Sequence, residues 1–282
     1  MALKVVLIGA GGKMGIRSAR NLMSCPDYEV MYCETGAEGV ARLKELGVST
    51  TPGDEAVGRA DLVVLAVPDA LVGKVSAGLV PAARAGATVI LLDPAAAMAG
   101  EVAMRDDLSY VVTHPCHPPL FGEQETREAR KDYFGGVAAW QDIVVALMQG
   151  PEEAYARAEA LCRAMFRPVR NAHRLTVEQI ALLEPAMAEV VAAAAAVLMK
   201  DAMEEAVRRG VPRAAAESFM LGHAQIPLAI VFGAVPSPFS DGAKVAIQWG
   251  TERVIRPDWR KVFDPDQVKE VIERMLHGGA GR

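Results

Sequence analysis

Two histidines lie close together in a short, proline-rich segment. Residues 113–121 read T-H-P-C-H-P-P-L-F and include His114 and His117. An imidazole can take the proton from a hydroxyl group that is being oxidised, or it can bind a metal ion as a neutral ligand. The prolines restrict the backbone, so little conformational entropy is lost when the rings are positioned. The segment predicts a catalytic loop, with a stiff turn whose histidines bind backbone groups as the alternative.

A carboxylate interrupts an apolar helical pattern in the C-terminal half. Glu184 lies among leucine, alanine and methionine residues, and Pro185 follows it directly. Proline disfavours the α conformation of the preceding residue and cannot donate a helix hydrogen bond. We therefore expect a helix break that directs the Glu184 carboxylate out of the helix bundle and towards the histidines. A solvated glutamate near a kink is the alternative.

Two other polar residues of this half are weaker candidates. His223 falls in an apolar helical pattern and is expected as a hydrogen-bonded core residue. Lys244 falls in an expected loop between helices, where it could bind an anionic substrate. A plain turn between helices fits that segment equally well.

A glycine-rich turn near the N-terminus predicts a dinucleotide site. An apolar run at residues 4–8 ends at this turn, and a helical pattern follows it. Glycines allow positive φ and let the backbone approach a pyrophosphate at the start of a helix. Their spacing departs from G-x-G-x-x-G, but the order of strand, turn and helix is the expected context. The predicted cofactor-binding residues of the turn are Gly9, Gly11, Gly12, Lys13, Met14 and Gly15.

An acidic residue ends the second predicted strand, where the adenosine ribose of a dinucleotide would bind. This residue is Glu34, and it follows the turn by roughly the 20 residues that the fingerprint requires. Its carboxylate would repel a 2′-phosphate, and the adjacent residues include no arginine. We therefore expect NAD rather than NADP. Pro68 and Asp69 follow the third predicted strand and are expected near the cofactor ribose at the same sheet edge.

Apolar runs alternate with helical patterns over the first half of the chain. The runs lie at residues 4–8, 28–33, 61–67, 87–92 and 110–113, with edge strands expected at 142–147 and 168–169. Strands that are apolar on both faces are typical of a parallel sheet covered by helices on both sides. From residue 176 onward, alanine-rich helical patterns follow. We therefore expect an α/β fold, with an NAD-binding Rossmann domain over 1–172 and a mostly α-helical substrate and dimerisation domain over 173–282.

Composition argues against several classes of function. The net charge is −5 without a basic stripe, so nucleic acid is not expected as a partner. The longest apolar run inside a helical pattern, residues 190–199, is shorter than the roughly 20 residues of a membrane span. No membrane partner is expected. A signal sequence and a disulfide framework are not recognisable, and a cytoplasmic location is expected.

The glycine turn, Glu34, the H-P-C-H-P-P-L-F string and the alanine-rich helical half together resemble the D-apionate oxidoisomerase family over nearly the whole chain. That family is similar to the 6-phosphogluconate dehydrogenases and ketol-acid reductoisomerases. The resemblance implies NAD-dependent oxidation of the C2 hydroxyl group of a branched 2,3-dihydroxy sugar acid, D-apionate. A hydroxymethyl group then migrates from C3 to C2 and gives 3-oxo-isoapionate.

The implied migration is reductoisomerase chemistry, in which a divalent metal polarises substrate oxygens. We therefore expect a Zn or Mg ion with His114 and Glu184 as ligands, and His117 as third ligand or general base. The sequence departs from reductoisomerases because it lacks two carboxylates one helical turn apart around Glu184.

Three other functions are compatible with the residues. Cys116 could be the nucleophile of a semialdehyde dehydrogenase. The chain could also be a 6-phosphogluconate- or prephenate-type dehydrogenase, or a protein that binds NAD without turnover. The helices rich in alanine and methionine further predict a homodimer.

Overall fold

The computed structural model describes residues 2–278, which divide into two compact units. The first unit contains residues 2–184 and 269–278, and the second contains residues 185–268. The expected boundary after residue 172 falls inside the last strand of the first unit. The C-terminal end also belongs to the first unit, where Nε2 of His277 lies 2.7 Å from Oε1 of Glu101. The helical unit is therefore shorter than the expected range 173–282.

The first unit is built on a seven-stranded sheet with the order β2-β1-β3-β4-β5-β6-β7. Neighbouring strands are parallel except for β5 and β6, which are antiparallel. The Rossmann-type α/β class is confirmed. The strands are β1 (Leu3–Ile8), β2 (Tyr28–Cys33), β3 (Leu62–Leu65), β4 (Thr88–Leu91), β5 (Ser109–Pro115), β6 (Gln141–Gln149) and β7 (Val169–Arg174).

Helices cover both faces of this sheet. Val5 and Leu7 pack in the core with α1, α2 and α6, while Val6 and Ile8 pack in the core with α3, α4, α5 and α7. This alternation explains why the strands are apolar throughout. The helices are α1 (Lys13–Leu22), α2 (Ala37–Glu45), α3 (Gly53–Val57), α4 (Asp69–Leu79), α5 (Ala95–Met98), α6 (Glu152–Met165) and α7 (Val177–Ala181).

The chain breaks its helical conformation at the predicted residue. Thr176 caps α7, because its side chain accepts a hydrogen bond from the Gln179 backbone while the Gln179 side chain accepts one from the Thr176 backbone. A π-helical segment, Leu182–Ala193, follows. Within it, Glu184 has φ −133° and ψ 109°, which are not helical values. Pro185 accounts for this conformation, and the predicted break is confirmed.

The second unit is helical, and its helices bury few of their own residues. It contains α8 (Ala194–Arg208), α9 (Arg213–Val231), α10 (Asp241–Val254) and the first residues of α11 (Pro265–His277). Ala216 is buried in α9, whereas α8 and α10 contain no buried residue. Much of the apolar surface of these helices is therefore exposed in the single chain.

One helical stretch, Val177–Arg208, is long and apolar enough by composition to cross a membrane, and 22% of its most apolar window is buried. The apolar run expected from the sequence covers only residues 190–199. The structural stretch is longer because the chain is helical again after the break before Pro185. By itself such a stretch is weak evidence for a membrane span, since helices of soluble proteins meet the same criteria.

Candidate functional site

The glycine turn follows β1 and leads directly into α1. Gly9 has φ +76°, and a Cβ atom built there would lie 2.5 Å from the carbonyl oxygen of Ala66. Both conditions disfavour any residue with a side chain. The N–H groups of Gly9 and Ala10 donate to the carbonyl oxygen of Cys33, at 2.9 and 3.1 Å. The turn is therefore held between the carboxyl ends of β1 and β2.

The start of α1 is suited to bind a phosphate group. No side chain caps this helix at Gly12. The first N–H groups of an α-helix lack acceptors within the helix and, together with the helix dipole, attract anions. Lys13 is exposed in the first turn, and Met14 packs against the core. These features agree with the cofactor residues expected from the sequence, whose assignment stays a prediction.

Three backbone N–H groups hold the Glu34 carboxylate at the end of β2. Its Oε2 atom accepts a hydrogen bond from Gly11, and its Oε1 atom accepts bonds from Thr35 and Gly36, at 2.8–3.0 Å. Gly39 permits this arrangement, because a Cβ atom there would lie 2.6 Å from the Glu34 carboxyl carbon. Our sequence analysis missed Gly39, whose signal is a glycine early in a helical pattern. Glu34 is positioned where a ribose would bind.

A cavity of about 560 Å³ adjoins the Glu34 carboxylate. Its walls are mainly apolar, and Lys74 is among the charged residues that line it. An apolar cavity with one well-held carboxylate matches the adenine and ribose of a dinucleotide. The cavity is lined by Val67 but not by Pro68 or Asp69, which form the N-terminal end of α4.

His114 lies near the end of β5, at the carboxyl edge of the sheet. Its Nδ1 atom lies 3.0 Å from the carbonyl oxygen of Leu92 and 3.7 Å from Oδ2 of Asp93. A carbonyl oxygen can only accept, so Nδ1 carries the proton and the neutral ring has its lone pair on Nε2. Burial lowers the pKa of His114 to about 4, the bond to Leu92 opposes this shift, and the nearby His117 adds to it. His114 is therefore neutral near pH 7.

Asp93 is an acidic residue of this site that our sequence analysis missed. It follows β4, and its side chain is 15% exposed. Its Oδ1 atom accepts a hydrogen bond from the backbone of Ala95, at 2.8 Å, at the start of α5. An Asp-Pro pair directly after an apolar run is the signal that could have identified it.

His117 lies beside His114, with ring centroids 5.9 Å apart and nearly perpendicular rings. Its φ of +60° is uncommon for a residue with a side chain. The Nδ1 atom of His117 lies 2.9 Å from the carbonyl oxygen of Phe134, to which it donates. The structure thus brings the two predicted histidines together, and in each ring the bond from Nδ1 to a carbonyl oxygen leaves Nε2 as the nitrogen that can accept a proton.

Glu184 is the last residue of the first unit, to which the histidines also belong. It is half-buried and follows α7, which packs against β6 and α5. The neighbouring Leu183 packs on the core that contains Ala96 and Ala97 of α5. Because α5 begins just after Asp93, this packing brings the Glu184 segment towards the His114 strand. Convergence of the Glu184 carboxylate with the imidazoles stays a prediction.

Cys116 is poorly suited to act as a nucleophile. Desolvation of its thiol and the nearby Asp142 carboxylate raise the pKa of Cys116 to about 11. Because the thiolate is the reactive form, little of it is present near pH 7. This environment counts against a semialdehyde dehydrogenase that uses Cys116.

Two residues of the second unit differ from expectation. His223 does bond to a backbone carbonyl, that of Phe219 at 2.9 Å, but it is exposed and stacks on Phe219, so the expected core location is wrong. Lys244 lies in the first turn of α10 rather than in a loop, because Ser240 caps that helix. Its Nζ atom pairs with Oδ1 of Asp241 at 3.0 Å, within the same helix.

The expected metal ligands do not form a complete donor set. Within residues 2–278, no three His, Cys, Asp or Glu side chains are grouped in a way that could hold a metal ion. A catalytic zinc ion takes three protein ligands. The residues present therefore do not fit a resident zinc ion.

Two family models match the chain. Residues 122–276 match phosphogluconate dehydrogenase (decarboxylating) C-term, which is more than half of the chain. Residues 4–96 match NADP oxidoreductase coenzyme F420-dependent. The second match contains the glycine turn and Glu34.

Individual relatives match over nearly the full length. A D-apionate oxidoisomerase from Cupriavidus necator is 47% identical over 98% of this chain and 100% of the relative. A semialdehyde dehydrogenase NAD-binding protein from Cupriavidus necator, crystallised in complex with calcium and NAD, is also 47% identical, with a TM-score of 0.94 over 98% of this chain and 100% of that chain. An NADH-preferring ketol-acid reductoisomerase from an uncultured archaeon shares the fold, with a TM-score of 0.71 at 20% identity over 98% of this chain and 82% of that chain.

Replacing Gly39 by alanine should weaken NAD binding about as much as replacing Glu34 by alanine, because the new Cβ atom overlaps the Glu34 carboxylate. Loss of hydrogen bonds to a charged group predicts an increase in Kd of about tenfold or more. Calorimetric titration with NAD measures this. Gly242→Ala, at a helical site of the second unit with nothing within 4 Å, is the control. Unchanged affinity of Glu34→Ala would contradict the assignment.

Replacing His114 by asparagine should remove a pH dependence of stability. Its pKa is about 4 in the folded chain, below the usual 6.5. As the pH falls, the unfolded chain takes up the proton first, so stability is lost between about pH 6.5 and pH 4. The difference corresponds to at most about 3 kcal/mol. Urea unfolding at pH 4.5 and 6.5 should show a smaller difference for the variant, and His223→Asn should behave like the unchanged chain.

Proposed function

The chain belongs to the D-apionate oxidoisomerase family, and we propose that it converts D-apionate to 3-oxo-isoapionate with NAD as oxidant. The observation that carries this proposal is the pair of imidazoles, His114 and His117, whose Nδ1 atoms both bond to backbone carbonyl oxygens at the sheet edge that also presents the glycine turn. An alcohol oxidation needs a proton acceptor at the hydroxyl group and a hydride acceptor at the carbon atom. The site offers the first, and the dinucleotide supplies the second.

The first step is oxidation at C2. His117 accepts the proton of the C2 hydroxyl group on Nε2, while the C2 hydrogen leaves as hydride to the nicotinamide. The products of this step are the 2-keto acid and NADH. The bond from Nδ1 of His117 to Phe134 keeps the lone pair on the nitrogen that faces away from that carbonyl.

The second step is migration of the hydroxymethyl group. The C3 hydroxyl proton passes to His114, the bond from C3 to the hydroxymethyl carbon breaks, and the group bonds to C2 with its electron pair. C3 becomes the ketone, and the C2 oxygen takes up a proton as the new alcohol. Glu184 is proposed to relay this proton, because its segment packs towards the Asp93 and His114 region.

We propose Mg²⁺ rather than Zn²⁺ as the divalent cation, because the side chains of the site, in the described part of the chain, do not provide the three protein ligands of a zinc ion. Mg²⁺ commonly binds through one or two carboxylates with water and substrate oxygens, which fits Glu184 better than a zinc site would. His114, expected from the sequence as the second ligand, is not proposed as a ligand of Mg²⁺, because its Nε2 atom takes the C3 hydroxyl proton and Mg²⁺ prefers oxygen ligands. When bound, such an ion would polarise the C2 and C3 oxygens.

A second candidate function is favoured by one finding. The similar protein from Cupriavidus necator with calcium and NAD is called a semialdehyde dehydrogenase NAD-binding protein. A covalent aldehyde oxidation would need a thiolate, and Cys116 is the cysteine of the site. The raised pKa of Cys116 makes this function the weaker proposal.

We propose that the exposed apolar surface of the second unit is covered by a second copy of the chain. Large apolar residues of α9 and its C-terminal end are well exposed, including Phe219 (67%), Leu221 (73%) and Phe232 (71%). Patches of this kind on a water-soluble protein mark interfaces, and symmetric dimers are the commonest assembly. A cytoplasmic location, with neither nucleic acid nor membrane as a partner, stays a prediction.

The enzyme should form NADH when it is given D-apionate and NAD, as measured by absorbance. His117→Ala and Glu184→Gln should each lower kcat by about 10² to 10⁴, the usual contribution of general acid–base groups, with little change in the Kd of NAD. Cys116→Ser should keep kcat within about threefold, because no step uses the thiol. Activity lost on dialysis against a chelator and restored by Mg²⁺ would support the cation.

Two outcomes would contradict this function. One is the absence of NADH with D-apionate, both with and without added Mg²⁺. The other is loss of turnover in Cys116→Ser together with turnover of semialdehydes by the unchanged chain, which would favour the second candidate.

The chain should elute as a dimer of twice 30.0 kDa in size-exclusion chromatography with light scattering. Leu221→Glu should shift it towards the monomer, because a charge at a buried interface is costly. Leu120→Glu places the same charge at an exposed leucine of the first unit and should leave the dimer intact. A monomeric chain, or one that partitions into vesicles, would overturn the dimer proposal.

A further inference from the structure

A loop that our sequence analysis did not single out lies beside the histidines. Residues 132–139, here called the 132–139 loop, connect a 3₁₀ turn (Ala129–Lys131) to the segment before β6. The loop owes its shape to Asp132, whose Oδ2 atom accepts hydrogen bonds from the backbone N–H groups of Val137, Ala138 and Ala139, at 2.9–3.1 Å. Three N–H groups on one carboxylate oxygen leave the loop few other conformations.

The conformation of this loop fixes the position of one carbonyl group, that of Phe134. Between Asp132 and the three N–H groups, the chain turns so that the carbonyl oxygen of Phe134 lies 2.9 Å from Nδ1 of His117. The N–H group of Gly135 also donates to the Asp132 carbonyl oxygen, at 3.1 Å, and closes the turn around Phe134. The acceptor for His117 is therefore held by Asp132 through the backbone.

His117 needs such an external constraint. Its φ of +60° is an unfavourable conformation for a residue with a side chain, and it persists only where the surroundings impose it. The imidazole has a second contact with the same loop, an edge-on approach to the Phe134 ring with centroids 6.1 Å apart. Both contacts come from the one residue that Asp132 positions.

The 132–139 loop is also attached to the helix that starts at the glycine turn. The guanidinium of Arg17 lies 4.7 Å from the centroid of the Phe134 ring. Four residues further along α1, the buried Asn21 side chain donates to the carbonyl oxygen of Gly136, at 3.0 Å. Arg17 and Asn21 lie on the same face of α1. The loop therefore contacts both α1, which is proposed to bind the dinucleotide, and His117, the proposed general base.

We propose that Asp132 is a positioning residue for the reaction: it folds the 132–139 loop so that the Phe134 carbonyl fixes the orientation and the Nδ1–H tautomer of His117. This inference rests on the proposed function, in which His117 takes the C2 hydroxyl proton on Nε2. The Nε2 atom can accept that proton only while Nδ1 carries its own, and the backbone acceptor enforces this. Asp132 itself touches neither substrate nor cofactor in this scheme.

The first test reads the tautomer directly and needs no substrate. Selective ¹⁵N labelling of histidine reports which ring nitrogen carries the proton, and His117→Ala identifies the His117 signals. The unchanged chain should show Nδ1–H at His117. Asp132→Ala should shift these signals towards a mixture of tautomers, while the signals of His114, bonded to Leu92, should stay in place. An unshifted His117 tautomer in Asp132→Ala would overturn the proposal.

The second test is a double-mutant cycle in the NADH assay. Asp132→Ala should lower kcat by about ten- to a hundredfold, as expected for a misplaced catalytic group, with the KM for NAD within about threefold. In a His117→Ala background, the same change should lower kcat by less than about twofold, because residues that act as one unit are not additive. Fully additive losses would show a general structural role and overturn the proposal.

Two further variants cover loss of folding and rescue. Asp132→Asn keeps an oxygen in the accepting position and should restore most of kcat and the Nδ1–H tautomer. Asp132→Glu keeps the charge but displaces the oxygens, and it should lower kcat by less than Asp132→Ala does. It replaces the alanine variant in both tests if the alanine variant does not fold. Asp61→Ala is the matched control, since that carboxylate accepts a bond from the Lys4 backbone at the opposite edge of the sheet. A tautomer shift without turnover of D-apionate would leave the positioning role intact and reject the proposed function.

Discussion

The site depends on the parallel register of the central strands. Ile8 of β1 pairs with Leu65 of β3, Leu65 with Leu91 of β4, and Leu91 with Val112 of β5. The strands therefore end at nearly the same level, and the residues that follow leave the sheet at one edge. The glycine turn, Asp93 and His114 all lie at that edge because of this register. A shift of one residue in a single strand would reverse the faces of its side chains and separate them.

Backbone carbonyl groups orient both histidines. His114 donates to Leu92 and His117 donates to Phe134, each through Nδ1, so Nε2 is the nitrogen left to accept a proton in both rings. A carbonyl group does not titrate, so it remains an acceptor for Nδ1–H whatever the pH. Among these contacts of the described residues, neither ring forms a direct short hydrogen bond from Nδ1 to a carboxylate. Oδ2 of Asp93 lies 3.7 Å from Nδ1 of His114, and Asp132 bonds to the backbone of the loop that supports His117. This arrangement fixes the orientation of both rings, while burial keeps His114 neutral near pH 7.

The two compact units differ in how much apolar surface they bury. The first unit buries apolar side chains on both faces of its sheet and has two extensive cores. The second unit consists of apolar helices with very few buried residues. Because burial of apolar area is the main stabilising contribution in folding, the first unit has an interior of its own, whereas the second buries little apolar area by itself. This contrast is the physical reason to expect a second copy of the chain.

The amino-acid sequence alone determined the alternation of strands and helices, the glycine turn, the position of Glu34 at the end of β2 and the helix break at Glu184. Interactions between near neighbours in the chain were enough for this. Each of these follows from a residue and its near neighbours, as the effect of Pro185 on Glu184 illustrates. Tertiary structure alone decided the contacts of Gly39, Asp93 and Asp132, the exposed position of His223 and the limits of the two units. Those features arise from contacts between residues far apart in the chain, such as His117 with Phe134 or Gly11 with Glu34. Periodicity and spacing report which face of an element is apolar, but only packing decides which neighbour that face meets.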